Sequence, residues 1–273
     1  MGWWQEQKWQ RWKTHHPLPE AAWHSVHTRL PMLAGLSGPM LARLGERSWR
    51  VLFELRLSLP AGVEWSIEAH LEMASQIALM SLGWSDRQAL AALGDTREII
   101  VVPGAFHRHV QEMDDFGVMH EFDDERAGET SWGGPVALSL EEVECCGQRD
   151  GFNVIIHEFA HKLDMTGNMA FDGQPALPAH IDAREWYDTF MRAWQAMQDT
   201  LARGEIPPID EYAATHPSEF LAVCCEYFFS APEQLEAVWP DLYALLVRYF
   251  NQDPLKRLKE SLRKHEQASI RPP

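Results

Sequence analysis

The sequence predicts an α+β fold, mostly helical with a small mixed sheet, on three observations. Long amphipathic patterns fill the second half of the chain, such as 183–201, where Trp186, Phe190, Trp194 and Met197 share one stripe. Short runs at 51–59, 99–102 and 136–140, bounded by turn residues, read as strands. Between the last strand and those helices lies His157-Glu158-Phe159-Ala160-His161, an H-E-x-x-H motif in an apolar surround. The 273 residues are 45% hydrophobic, enough for one sizeable core. With no internal repeat and no clear linker, residues 1–273 read as a single domain, with residues 1–48 a helical N-terminal extension.

The extension begins MGWWQEQKWQRWKTHHP, which lacks the apolar centre of a signal peptide. Its Trp3, Trp4, Trp9 and Trp12 either dock on the domain or lie on a membrane surface. Helical patterns at 20–30 and 40–48 follow, punctuated by Pro and Gly. In 51–59, Leu55, Leu57 and Leu59 alternate with Glu54, Arg56 and Ser58, the period of a strand. Pro60-Ala61-Gly62 turns it into a helix over 66–82, with Ile67, Leu71, Ala74, Ile77, Ala78 and Met80 at helical spacing and Gly83 as its stop. The strand 99–102 ends at Pro103-Gly104. Residues 111–130 are acidic and turn-rich and read as a long surface loop. His107, His109 and His120 lie near it and read as surface histidines rather than ligands.

In 136–140, Val136, Leu138 and Leu140 alternate with Ala137 and Ser139. Lying just before the motif, Val136, Ala137 and Leu138 are candidates for an edge strand that pairs with an extended substrate backbone. Pro135 suits an edge; an ordinary strand without substrate contact is the other reading. Beyond the motif come a loop (167–178), an irregular stretch (205–215), a helix over 217–229, a helix over 233–250 broken near Pro240, and a last basic helix over 255–264.

The motif itself implies metal chemistry. Residues four apart share a helix face, so His157 and His161 can hold one zinc ion while Glu158 acts as general base on water. Phe152, Val154, Ile155, Ile156, Phe159, Ala160 and Leu163 make that helix apolar; Asp150 or Asn153 caps it and Gly167-Asn168 stop it. A buried helix gains nothing from such polar residues unless they are paired; a solvated polar face is the alternative. A peptidase zinc needs a third protein ligand, and Asp164, Glu219 and Glu226 are the acidic candidates downstream. Asp164 shares the face of His157 and suits an acceptor that orients a histidine ring. Glu219 and Glu226 lie seven apart on one face of an apolar helix, where carboxylates need a positive partner. Glu226 either bonds a ligand histidine or is exposed. Tyr212, taken alone, is a packed surface tyrosine; beside a metal its hydroxyl could donate to an oxyanion.

Composition narrows the partners. The formal net charge is −16, from 40 acidic and 24 basic residues. This argues against nucleic acid and anionic membranes, which need clustered positive charge. No apolar run reaches the roughly 18 residues of a spanning helix, so no transmembrane segment is expected. The pairs Cys145-Cys146 and Cys224-Cys225 lack metal or disulfide spacing and read as reduced thiols of a cytoplasmic protein, a joint four-cysteine metal site being the other arrangement.

HEFAHKLD together with DEYAATHPSEFLAVCCEYFF, preceded by VVPGAF and GGPVALS, resembles the Mlc titration factor A family of cytosolic bacterial zinc peptidases. The likeness runs over roughly 50–250 and leaves the first 48 residues and the Cys224-Cys225 pair unmatched. The resemblance implies a zincin-like metallopeptidase domain, with an edge strand flanking the motif helix and a gluzincin-like site with one Zn²⁺ per chain. Its ligands would be His157, His161 and Glu219, its general base Glu158 and its transition-state donor Tyr212. The tyrosine-to-glutamate spacing is similar to that of anthrax lethal factor. It further implies aminopeptidase-type hydrolysis of a peptide substrate and binding of the glucose repressor Mlc or an analogous transcription factor. A non-catalytic, repressor-sequestering protein with a structural zinc is the rival class.

Overall fold

The computed structural model describes residues 3–93, 96–104, 134–168 and 171–270, and strands within 106–130. For 106–113, 119–126, 128–130, 168 and 264–270 it describes the backbone alone. The protein opens with α1 (Trp3–His15), α2 (Glu20–Arg29), a 3₁₀ turn (Pro31–Leu33) and α3 (Gly38–Glu54). Then come β1 (Arg56–Ser58), α4 (Ile67–Met80), α5 (Asp86–Ala92) and β2 (Glu98–Val102). β3 (Phe106–Met113), β4 (Met119–Arg126), β5 (Gly128–Thr130) and β6 (Val136–Ser139) follow. The rest is helical: α6 (Leu140–Cys145), α7 (Val154–Asn168), α8 (Ala183–Ala202), a 3₁₀ turn (Glu211–Ala214), α9 (Pro217–Ser230), α10 (Pro232–Val238), α11 (Pro240–Phe250) and α12 (Pro254–Ile270).

The mainly helical α+β architecture is the expected one. Its mixed sheet runs β1-β2-β6-β5, with the first three strands parallel and β5 antiparallel to β6. The parallel strands are short and apolar where they are covered: Ile99, Val101, Val136 and Leu138 are all buried. Both β5 and β6 contact α7, so an edge strand does flank the motif helix.

That edge is not the one expected. Val136, Ala137 and Leu138 pair with Ile99, Ile100 and Val101 on one side and with Thr130, Glu129 and Gly128 on the other. Their backbone is fully engaged and cannot take a substrate strand; the outer strand on this side is β5. Pro135 is tolerated because it precedes the strand rather than lying within it.

Two other expectations change. The first part of 51–59 belongs to α3, which continues to Glu54 because Leu44, Ser48, Val51 and Leu55 keep a buried helical stripe; only Arg56–Ser58 is strand. The acidic 111–130 stretch is not a loop throughout. β3 and β4 pair antiparallel from Phe106↔Arg126 to Met113↔Met119. In that register Arg108 stands opposite Asp124, and His109 opposite Asp123, so charge rather than apolar alternation accompanies the pairing. The side chains of His107, His109 and His120 lie outside the described residues.

The N-terminal tryptophans divide. Trp9 is buried, its ring 5.5 Å from Phe53, and the Trp12 ring lies 5.2 Å from that of Trp49, so α1 docks on α3. The Trp49 indole N–H also donates to the His16 carbonyl at 2.7 Å. Trp3 and Trp4 remain exposed. No helix among the described residues is long and apolar enough to cross a membrane.

Candidate metal centre

Two buried helices, α7 and α9, pack against each other and carry the centre between them. α7 is buried nearly all round: Val154, Ile155, Ile156, Phe159, Ala160 and Leu163 are buried, and so are the polar Glu158, His161, Lys162 and Asp164. Its start is fixed by Asn153, whose Oδ1 accepts the Ile156 N–H at 3.0 Å. Asp150 instead accepts from Phe152 in the preceding turn. α9 begins at Pro217, pre-set for a first helical position. His216 caps it by accepting from the Ser218 N–H at 3.3 Å. Glu219 thus falls in the first turn, where the helix dipole favours a negative charge.

Each helix would pay heavily for its buried polar side chains if it stood alone; together they satisfy one another. His157 Nε2 lies 3.0 Å from Glu219 Oε2, His161 Nε2 lies 3.2 Å from the same oxygen, and the two Nε2 atoms are 3.2 Å apart. Among the described residues, these three side chains are the one group of histidine, cysteine or acidic residues able to hold a metal ion, their ligand atoms lying within 4.8 Å of one another. The other ring nitrogen of His157, Nδ1, is 2.8 Å from Glu226 Oε1. That is how the far side of a metal-bound imidazole is held, with Nε2 left to face the ion. Two imidazole nitrogens and one carboxylate oxygen are also a donor set that suits a borderline divalent cation. The residues therefore fit a metal.

The electrostatics agree. Burial works against ionisation of Glu219, but its hydrogen bonds to His157 and His161 outweigh that and hold the carboxyl far below its usual range. Burial likewise opposes a charge on His157, and the bonds to Glu219 and Glu226 reverse it, raising the ring pKa well above the ordinary value.

Of the remaining expected residues, Glu158 is buried beside His157 on α7. Tyr212 is half-buried on the 3₁₀ turn before α9, its ring 6.0 Å from that of His157; Asp210 anchors the turn by accepting the Tyr212 N–H at 2.9 Å. Glu226 bonds a candidate ligand histidine, one of its two expected roles. Asp164 makes no hydrogen bond to either motif histidine. Its Oδ2 accepts the Gly173 N–H at 3.0 Å, while its Oδ1 and the His161 Nδ1 are both buried without a hydrogen-bond partner. Burial pushes the Asp164 carboxyl up to about 6. The four cysteines are free thiols, and the two pairs form no metal cluster among the described residues.

Sequence reasoning missed the support behind this centre. Glu226 Oε2 accepts the Asn153 backbone N–H. Asn153 Nδ2 donates to Gln76 Oε1 of α4 at 2.6 Å. Gln76, Asn153 and Glu226 are all buried, so α4, α7 and α9 are tied together directly behind His157. Only Asn153, as a helix cap, left a local trace in the sequence.

A buried helix pair converging two imidazoles and a carboxylate, with a second carboxylate next to the first histidine, is the construction of a metallopeptidase. The chain belongs to the glucose-regulated metallo-peptidase M90 family, which it matches over residues 3–251, the N-terminal tryptophan-rich helix included. It is 33% identical over 256 residues to Mlc titration factor A of Yersinia pestis (strain Pestoides F), covering 91% of each chain. The same figures hold for Mlc titration factor A of Yersinia pseudotuberculosis serotype O:1b and serotype O:3.

Proposed function

We propose that this protein is a cytoplasmic zinc-dependent peptidase of the aminopeptidase type. Its ligands are His157, His161 and Glu219, its general base is Glu158, and Tyr212 is a donor to the transition state. The observation that carries the reading is the convergence of two Nε2 atoms of α7, the helix that also carries Glu158, with the Glu219 Oε2 of α9. Bound there, zinc supplies the Lewis acidity that makes water a nucleophile near neutral pH. Glu158 takes the proton from the attacking water and passes it to the leaving amine. The Tyr212 hydroxyl donates a hydrogen bond to the oxyanion as the carbonyl becomes tetrahedral. Glu226 keeps the His157 ring in one tautomer and orientation.

Three protein donors would leave room for a further ligand on a bound ion, which favours catalysis over a closed structural site. The name of the Yersinia relatives supports a second role on the same protein, binding of a transcriptional repressor of the Mlc type. The net charge of −16 speaks against direct nucleic-acid binding.

The deciding experiment is Glu158→Gln. The variant is expected to retain its zinc while peptide hydrolysis falls by about 10²-fold or more. A metal-loaded Gln variant that hydrolyses peptides at the parental rate would overturn the mechanism.

A further inference from the structure

The segment that follows α7 is held unusually firmly. Gly173 donates its N–H to Asp164 of α7 at 3.0 Å and accepts the Trp186 indole N–H of α8 at 2.9 Å. Ala176 donates its N–H to the Thr166 hydroxyl of α7 at 3.2 Å. Asp172 accepts the Gln174 N–H at 3.0 Å, closing a local turn. Gly173 has φ +76° and lies so close to Phe190 that a Cβ would stand 2.6 Å from its ring. Residues 173–176 are therefore held between α7 and α8, with the anchors on α7 downstream of His161.

This clamp places one apolar side chain beside the metal centre. The Phe171 ring meets the His161 ring edge-on, with centroids 5.7 Å apart and planes at 76°. It is 38% exposed. Isolated exposed apolar residues are common and need no explanation; Ile206 is of that kind. Phe171 differs because it stands two residues before the anchored Gly173 and its ring meets that of a candidate metal ligand. A pre-set apolar wall costs little ordering when a ligand arrives.

We infer that Phe171 is a specificity-determining residue, an apolar wall of the substrate cleft that selects peptides with an aliphatic or aromatic side chain next to the scissile bond. This rests on the peptidase reading above and adds the substrate class to it. Asp164 and Thr166 act as positioning residues, holding the loop that carries the ring.

The test compares kcat/KM for short peptides that differ only in the residue on either side of the scissile bond: Leu or Phe against Ala and Asp. The zinc-loaded parent is expected to favour Leu and Phe. Phe171→Ala is expected to lower the Leu-to-Ala preference by about 5- to 20-fold, within the discrimination that apolar contacts provide, chiefly through KM. Phe171→Leu is expected to keep most of it. A ratio measured on one preparation does not depend on the fraction of enzyme carrying metal. A parent that cleaves peptides but prefers Ala or Asp, or a preference that survives Phe171→Ala, overturns this inference and leaves the peptidase reading standing. A zinc-loaded parent that cleaves none of the peptides overturns both.

Discussion

Glu226 holds His157 from behind: its Oε1 lies 2.8 Å from the ring Nδ1, while its Oε2 takes the Asn153 N–H at the start of the same helix. One carboxylate thus fixes both the ring and the helix that carries it. Replacing it by alanine should weaken metal binding by about 10- to 100-fold. It should also leave a buried N–H without an acceptor, at a cost of about 1–3 kcal/mol. Glu226→Gln, which keeps an acceptor, should lose less on both counts. Competition against a chromophoric chelator reads the first effect and urea unfolding the second; an alanine variant that binds metal like the parent would remove Glu226 from the centre.

In the metal-free protein His157 keeps its proton to higher pH than in the unfolded chain, because Glu219 and Glu226 outweigh the effect of burial. Its contribution to stability is therefore fully present below about pH 6.5, the unfolded value, and is lost as pH rises through the folded one. A metal must displace that proton. Loading near neutral pH should release protons, and apparent affinity should fall as the medium is acidified. Calorimetry in buffers of different ionisation enthalpy measures the release; identical heats in all buffers would contradict it.

Tyr212→Phe removes a hydroxyl and little else from a half-buried ring. The expected result is a fall in kcat of about 10²-fold, with KM nearly constant, since the donor acts on the oxyanion rather than on the resting substrate. A variant whose KM rises while kcat holds would make Tyr212 a binding residue instead.

Two glycines separate crowding from backbone strain. Gly173 and Gly204 both have positive φ, +76° and +69°, but a Cβ at 173 would strike the Phe190 ring and one at 204 would meet nothing within 4 Å. Gly204→Ala should cost about 1 kcal/mol for the backbone alone. Gly173→Ala should cost about 2 kcal/mol or more, crowding being added. Denaturant midpoints decide, and equal losses would mean that the loop is less tightly clamped than its contacts indicate.

The centre was unevenly legible. His157, Glu158 and His161 lie within one helical turn, and α7 and α9 advertise themselves by apolar residues around polar ones that have no business in a core. Glu219 could be chosen over Glu226 only through family resemblance, because seven-residue spacing puts both on one face. The bond from Gln76 to Asn153 joins α4 to α7, and nothing local marks it. Phe171 gave no signal either, since its role depends on a fold of the chain that brings Gly173 back onto Asp164. Among the strands, β6 was recognisable by alternation and β2 as a short apolar run ending at Pro103-Gly104, but β5 was not. β5 is three residues long, and β3 and β4 are dominated by histidine and charged residues rather than by apolar alternation. The end of α3 was misplaced because the leucines at 55, 57 and 59 imitate a strand that starts only at Arg56.

The cysteines offer a practical opening. Cys146, Cys224 and Cys225 are buried, and burial drives their thiols upward, that of Cys146 to about 12. Cys145, at the end of α6, is exposed. A maleimide dye or nitroxide should therefore couple to the native protein at one place without mutagenesis. Because α6 leads from the sheet towards α7, such a reporter would sit upstream of the helix that carries His157 and His161 and could follow its motion in solution.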